Sequence, residues 1–332
     1  MKATIDGTSV RLGPDGAGLY DQSGYGRPDG DGLRLAPEEA LYLVHRGKIT
    51  VQGFEFESML VEVAGTAEQL RRYLVYRDIR ERGYVIQPGP HDFRVFRRGE
   101  KPGKGRSQYL ISVIPERAMI RFEEVADDAA TAFNMRKQYV LAVVDDENEI
   151  TYYEVKLQDL PPVDAPPLPR LCGFVVGNAV VAAAPGDGAP LVSGWFGTPL
   201  DSDRIMLSPL ETLYLLSQGV LAIGEKFGSG DFSARVAASD TGFAEKYAVY
   251  THLRTQGYLP RTAYKFGHHF RVYSGKKQHS EMLVHALPPG ATMPMIVISR
   301  SVRLAHSVRK KMLFASTQQN TIRYIEFARI KL

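Results

Sequence analysis

Three side chains toward the end of the sequence carry groups that could do chemistry together. Tyr273, His279 and Lys310 offer a phenol, an imidazole and an ammonium. Such a trio suits cleavage of a phosphodiester by a neighbouring 2′-hydroxyl. One group must take the hydroxyl proton, one must give a proton to the departing 5′-oxygen, and one must hold the charge of the crowded phosphorane. A tyrosine among cations can act as the base. A histidine titrates near neutrality and can act as the acid, and a lysine supplies fixed positive charge. The nucleophile is built into RNA, so this route needs no metal ion or cofactor, and DNA would be inert to it.

Singly, each residue is an ordinary one; a duplication within the chain sets them apart. Leu35-Ala-Pro-Glu-Glu-Ala-Leu41-Tyr42-Leu43 recurs as Leu207-Ser-Pro-Leu-Glu-Thr-Leu213-Tyr214-Leu215, an offset of 172. Tyr76 through Gly83-Tyr84 matches Tyr250 through Gly257-Tyr258, and Phe93-Arg94-Val95-Phe96 matches Phe270-Arg271-Val272-Tyr273. Met135-Arg136-Lys137 matches Val308-Arg309-Lys310, and Ile150-Thr-Tyr152 matches Ile322-Arg-Tyr324. Against Tyr273 the first repeat has Phe96, which keeps the ring and loses the hydroxyl. Against His279 it has Arg106, and against Lys310 it keeps Lys137. The full trio therefore stands in the second repeat alone.

The elements that must position these residues follow from local pattern. Each repeat opens with a Gly- and Asp-rich stretch of short strands. Asp29-Gly-Asp-Gly32 there imitates part of a calcium loop but lacks the later glutamate, and reads as a surface turn. A helix follows, opened by Pro37 or Pro209, the latter after Ser208 as N-cap, and closed by Gly47 or Gly219. A second helix is predicted over Tyr73–Arg82 and Lys246–Gln256. Strands are predicted at Phe93–Phe96, Tyr109–Val113 and Tyr139–Val144, then at Phe270–Tyr273, Glu281–Ala286 and Met312–Ala315. The fold class is α/β in the mixed α+β sense: two tandem duplicated domains, each with an N-terminal helix-and-strand subdomain and a C-terminal mixed-sheet subdomain. The proline-dense residues 161–172 read as a linker between repeats at 1–160 and 173–332.

Composition bounds the rest. The chain has 332 residues, 44% of them hydrophobic, which is enough for two cores. No apolar run reaches the roughly 18 residues of a membrane span, and Met1–Asp6 lacks the apolar core of a signal peptide. No membrane partner and a cytoplasmic location are expected. The single cysteine, Cys172, excludes an internal disulfide and a multi-cysteine zinc site. Net charge is +4, and its distribution says more. Lys265, Arg271, Lys276, Lys277, Arg300, Arg303, Arg309 and Lys310 crowd the C-terminal part, whereas Asp145-Asp146-Glu147-Asn148-Glu149 forms an acidic hairpin loop in the first repeat.

The segment Tyr264-Lys265-Phe266-Gly267-His-His-Phe270-Arg271-Val272-Tyr273, then His279-Ser280, then Arg303 through Lys310-Lys311, closely resembles the catalytic-domain signatures of archaeal tRNA-splicing endonucleases. The duplication resembles the homodimeric branch, in which a degenerate repeat is fused to a catalytic one, so the resemblance covers nearly the whole chain. It implies a metal-free enzyme that cuts precursor tRNA, and other RNAs, at bulge–helix–bulge junctions, leaving a 2′,3′-cyclic phosphate and a 5′-hydroxyl. Carried over, Tyr273 is the general base, His279 the general acid and Lys310 the transition-state cation. Arg303 and Arg323 correspond to two arginines that grip a bulged base. Asp145, Asp146, Glu147 and Glu149 correspond to a loop that docks into a basic groove of the partner's catalytic repeat in a homodimer. The chain departs from the family at His269, where an acidic residue is common, and in a short Tyr273–His279 segment.

Two other classes stay open on the residues alone. Glu154-Val155-Lys156, with Asp145 and Asp146 upstream, imitates a magnesium-dependent nuclease. A non-catalytic RNA-binding subunit would keep the scaffold and lose the trio, as the first repeat has.

Overall fold

The proline-opened helices form as their sequences dictate. In the computed structural model, which describes all residues except 8, 166, 169, 184–195, 225–228, 276–278 and 319–320, helix α1 spans Pro37–His45. Lys276, Lys277, Pro166 and Pro169 thus lie outside the described residues. Glu39 reaches back from the first turn of α1 to accept from the Ala36 N–H at 3.0 Å, and accepts from the Gly26 N–H at 3.0 Å. Burial pushes its carboxyl above the usual carboxylate range despite those bonds.

The chain divides into two compact units. One holds Met1–Leu157, Thr292–Val302 and Phe327–Leu332; the other holds Gln158–Ala291 and Arg303–Glu326. In the first, a five-stranded sheet runs in the order Arg27–Asp29, Gly32–Leu35, Ser9–Leu12, Lys2–Asp6, Thr50–Val51. Asp29 stands at the turn of its first hairpin and pairs with Arg34 and Arg11 at 2.9 and 3.1 Å, so the calcium-like motif is a salt-bridged surface turn.

Next comes α2 (Ala67–Glu81), which begins six residues before the apolar pattern predicted. Thr66 caps it, its hydroxyl accepting from the Gln69 N–H at 3.2 Å, and its first turns are polar, which hides them from a hydrophobic periodicity. Five strands then run in the order β1 (Ile86–Pro88), β2 (Phe93–Phe96), β3 (Ser107–Pro115), β4 (Gln138–Val144) and β5 (Ile150–Gln158). Only β3 and β4 are parallel, and α3 (Phe122–Asn134) makes their crossover.

The second repeat follows the same plan, although Thr292–Val302 and Phe327–Leu332 are grouped with the first compact unit; below, the second unit means this second repeat. Its N-terminal sheet has the order Thr198–Pro199, Arg204–Leu207, Ala179–Ala183, Leu171–Val176, Leu221–Ile223. Helix α4 (Pro209–Ser217) carries a complete capping box: Ser208 Oγ accepts from the Glu211 N–H at 3.4 Å and Glu211 accepts from the Ser208 N–H at 2.8 Å. Glu211 also accepts from the Gly197 N–H at 3.0 Å, the counterpart of the Glu39–Gly26 bond. Helix α5 (Phe243–Thr255) leads to β6 (Leu259–Ala263), β7 (His268–Tyr273), β8 (Met282–Leu287), β9 (Lys311–Gln318) and β10 (Thr321–Ile330), paired in that order, with β8 and β9 parallel. Helix α6 (Met295–Ser307) makes the crossover.

The cores agree in detail. Arg80 donates to Tyr76 Oη at 3.0 Å and lies 3.8 Å over the Tyr25 ring; Arg254 donates to Tyr250 Oη at 3.0 Å and lies 3.8 Å over the Phe196 ring. Each is a buried cation held by an aromatic wall and a phenol. The chain is a tandem duplication in three dimensions as well as in sequence.

Candidate active site

The topology of the second unit decides which residues meet. Strand β7 runs antiparallel to β8, which runs parallel to β9. The end of β7 and the starts of β8 and β9 therefore lie at one end of the sheet. Tyr273 is the last residue of β7, His279 and Ser280 lead into β8, and Lys310 immediately precedes β9. Backbone bonds lock this end: the Glu281 N–H donates to the Val272 carbonyl at 2.9 Å and the Lys311 N–H to the Glu281 carbonyl at 2.9 Å. Neighbouring strands are about 4.8 Å apart, so the start of β9 lies two such steps across the sheet from the end of β7.

Each group has its own environment. Tyr273 is buried, 6% exposed, and His279 is exposed. Lys310 is half-buried and donates from Nζ to the Ser280 carbonyl at 2.6 Å. Its pKa is lowered, first by burial and then by Arg271 and Lys265.

The first unit shows what the corresponding positions form without the phenol and the imidazole. Phe96, Arg106, Ser107 and Lys137 line one cleft of about 540 Å³, together with Arg94. Lys137 donates to Ser107 Oγ at 2.6 Å, and burial and Arg94 lower its pKa. The residues that pair with the trio in sequence thus share one concavity.

A helix cap places both lysines. The Lys310 N–H donates to the Ala305 carbonyl and the Arg309 N–H to that of His306, at 2.8 and 3.0 Å, with Arg309 at φ +57°. The Lys137 N–H donates to Ala132 and the Arg136 N–H to Phe133, both at 2.8 Å, again with Arg136 at φ +57°. This is the Schellman ending of a helix with arginine where glycine is usual. A left-handed non-glycine residue costs about 1–2 kcal/mol, and both repeats retain it directly before the lysine.

The remaining predicted residues lie elsewhere. Arg303 is exposed on α6, seven residues before Lys310 in the chain and four before the end of the helix. Arg323 on β10 pairs with Ser316, five residues along β9 from Lys311. At roughly 3.3 Å per residue that is about 17 Å from the trio's end of the sheet. Asp145–Glu149 forms the β4–β5 turn. Asp145 is half-buried and accepts from the Glu147 and Glu149 N–H groups at 3.0 and 2.8 Å, while Asp146, Glu147 and Glu149 are exposed. Asp146 pairs with Arg117 at 2.5 Å. Glu154 accepts from Gln138 at 2.8 Å and pairs with Lys156 at 3.4 Å. Among the described residues no three His, Cys, Asp or Glu side chains gather where they could hold a metal ion.

The departure at His269 has a structural explanation. His269 Nδ1 accepts from the Ala286 N–H at 3.0 Å, as the Asp92 carboxylate accepts from the Val113 N–H at 2.7 Å. In the first unit Arg72 joins Glu38 and Asp92 in an ion triad. In the second the corresponding residues are Leu210, Lys246 and His269, and Lys246 turns to Asp240 at 2.6 Å. His269 instead stacks on His285 at 4.2 Å, with His268 Nδ1 3.4 Å from His285 Nδ1. Burial, and the neighbouring His285, push His268 and His269 down to about 4.

From the sequence Arg271 is one charge of a basic region and one position of the family signature, and Ser280 is a position of that signature; neither is marked as a neighbour of Lys310. The retention of Phe-Arg-Val in both repeats was the available signal for the arginine.

Comparison with known proteins agrees with this architecture. The family model for the tRNA intron endonuclease catalytic C-terminal domain matches residues 69–152 and again 243–324. The model for the tRNA intron endonuclease N-terminal domain matches residues 1–60 and 173–230. N-terminal and catalytic domains thus alternate, twice over. The tRNA-splicing endonuclease of Methanosarcina acetivorans is 36% identical over 100% of this chain and 100% of its own length. That of Methanococcoides burtonii is 40% identical over 95% of each chain, and that of Natronomonas pharaonis 35% over 99% of each. The chain belongs to the tRNA intron endonuclease family and is an enzyme of that family.

Proposed function

We propose that the protein cleaves precursor tRNA, and other RNAs with the same shape, at bulge–helix–bulge junctions, without a metal ion. Tyr273 takes the 2′-hydroxyl proton, the 2′-oxygen attacks phosphorus, His279 protonates the departing 5′-oxygen, and Lys310 stabilises the phosphorane. The products are a 2′,3′-cyclic phosphate and a 5′-hydroxyl. The observation that carries this reading is the arrival of a phenol, an imidazole and an ammonium at one sheet end of the second unit, while the same positions in the first unit hold Phe96, Arg106 and Lys137.

The working protein on this reading is a homodimer with two sites, each protomer divided into repeats at 1–160 and 173–332. The acidic hairpin docks into a basic groove of the partner's catalytic repeat; three exposed carboxylates on a tightly bonded turn support this. Arg303 and Arg323 grip a bulged base. Because Arg323 lies about 17 Å along the strand from the trio's end, that base is distinct from the nucleotide cut there. No helix among the described residues is long and apolar enough to cross a membrane; processing of tRNA places the enzyme in the cytoplasm.

End-group analysis of a cleaved bulge–helix–bulge RNA in excess chelator tests the reaction class. A cyclic phosphate and a 5′-hydroxyl are expected. Loss of all activity in chelator, or a 5′-phosphate, would overturn it.

A further inference from the structure

Arg94 has an acceptor on the neighbouring strand, and Arg271 does not. Across β1 and β2 the register pairs Gln87 with Arg94, and Arg94 donates to Gln87 Oε1 at 2.7 Å. Across β6 and β7 the same register pairs Arg261 with Arg271. An arginine offers no acceptor. Arg261 turns away, donating to the Gly197 carbonyl at 3.0 Å and pairing with Glu211 at 3.3 Å. The second unit has therefore replaced the amide opposite this arginine with a second cation. Like charges facing one another on adjacent strands are destabilising. Among the described residues the Nε atoms of Arg94 and Arg271 are alike buried without a hydrogen-bond partner, so the two arginines differ in the group that faces them.

The guanidinium left in this state stands beside one member of the trio and acts on another. Its Cζ lies 6.0 Å from the Tyr273 ring centroid. It also acts on Lys310 as the largest charge effect on that ammonium, with Lys265 acting in the same sense. In the first unit the corresponding Arg94, Phe96 and Lys137 line one cleft. The corresponding turn there, Gly89-Pro90-His91-Asp92, has no lysine to match Lys265. Arg271 thus stands beside Tyr273 and, like Lys265, acts on Lys310, an arrangement of like charges that suits an anion.

We propose that Arg271 is a further catalytic residue: with Lys310 it binds the non-bridging oxygens of the scissile phosphodiester. A guanidinium fits this place because its planar fork can hold two phosphate oxygens at once. The inference rests on the reading that Tyr273, His279 and Lys310 cut RNA.

The test is single-turnover cleavage of a bulge–helix–bulge RNA by the full-length protein and its Arg271→Met, Arg271→Lys and His279→Ala variants. The rates are followed over pH and with sulfur at a non-bridging oxygen of the cut phosphate. Arg271→Met should slow the chemical step about 100-fold and change RNA affinity little. Removing a positive charge from the site should also move the base limb of the pH profile to higher pH, and the sulfur effect should shrink. Arg271→Lys should restore part of the rate and of the limb, and serves as the reading if Arg271→Met unfolds. A slowed rate with an unmoved limb and an unchanged sulfur effect would mark a structural role and overturn the proposal. So would a wild-type rate for Arg271→Met beside an inactive His279→Ala, which leaves the trio intact. If His279→Ala cuts like wild type, the trio fails and this subsite with it.

Discussion

Lys310 donates to the carbonyl oxygen of Ser280 at 2.6 Å, the residue that follows His279. One hydrogen bond thus ties the cation of the trio to the segment that carries its imidazole. Lys137 makes the counterpart bond to the hydroxyl of Ser107 rather than to its carbonyl. The lysine and its tether therefore survive in the repeat that has lost the phenol and the imidazole, as expected of groups that also hold the sheet end together.

Loss of the acid or the base should be a loss of chemistry, not of fold. His279 is exposed, so His279→Ala should leave the melting temperature unchanged and slow cleavage about 10²- to 10⁴-fold. Tyr273→Phe recreates the first repeat's residue and should act similarly. Cleavage at the wild-type rate by both variants would remove the assignment.

The helix cap predicts two opposite responses at Arg309. Arg309→Gly relieves the left-handed strain at φ +57° and should keep activity while raising stability by about 1 kcal/mol. Arg309→Val puts a β-branched residue there and should lower both the melting temperature and the cleavage rate by displacing Lys310. Equal thermal unfolding of the two variants would show that the cap does not place the lysine.

Acid should destabilise the second unit through its histidines. His268 and His269 fall from an ordinary value near 6.5 to about 4, so folding favours their neutral forms. Between those values the unfolded chain binds more protons, and stability rises with pH. It is full above about 6.5 and is lost as pH falls toward 4. Discounted for the solvent each ring still sees, the loss is about 1–2 kcal/mol per ring. His269→Asp, which restores an acid beside Lys246, should flatten this dependence in urea titrations across that window. An equal slope for variant and wild type would count against it.

The four acidic residues of the hairpin should not behave alike. Asp145 builds the turn through two backbone bonds, whereas Asp146, Glu147 and Glu149 face solvent. Neutralising the last three together should weaken the dimer in sedimentation and lower activity, with the melting temperature of the protomer unchanged. Asp145→Ala should disturb the turn itself. A sedimentation profile identical to wild type after the triple change would sink the docking role.

RNA affinity should fall steeply with salt as phosphate contacts release counterions. Arg303→Lys keeps the charge and loses the planar stacking face, so it should weaken binding about tenfold with the salt slope unchanged. A flat salt response would argue against a basic RNA-binding face.

Much of this was legible in the residue order. Proline at the first turn and glycine at the end mark α1 and α4, and the strands around Phe93–Phe96 and Phe270–Tyr273 follow their apolar runs. The crossover helices α3 and α6 were not anticipated, although each precedes a positioned lysine. Their apolar stripes run straight into the capping turn, and that turn uses arginine where glycine would have announced it.

By itself the sequence determined the duplication, the contrast of Tyr273 and His279 with Phe96 and Arg106, and the family, because side-chain identity at a constant offset is a property of the chain alone. Tertiary structure alone decided that the end of β7 and the starts of β8 and β9 meet, since strand direction and register are set by pairings between residues distant in sequence. It also decided that Lys310 is tethered to Ser280, that Arg323 stands at the other end of the sheet, and that Arg271 faces a cation where Arg94 faces an amide. Those relations depend on which residues fall opposite one another, and that is fixed only when the sheet closes.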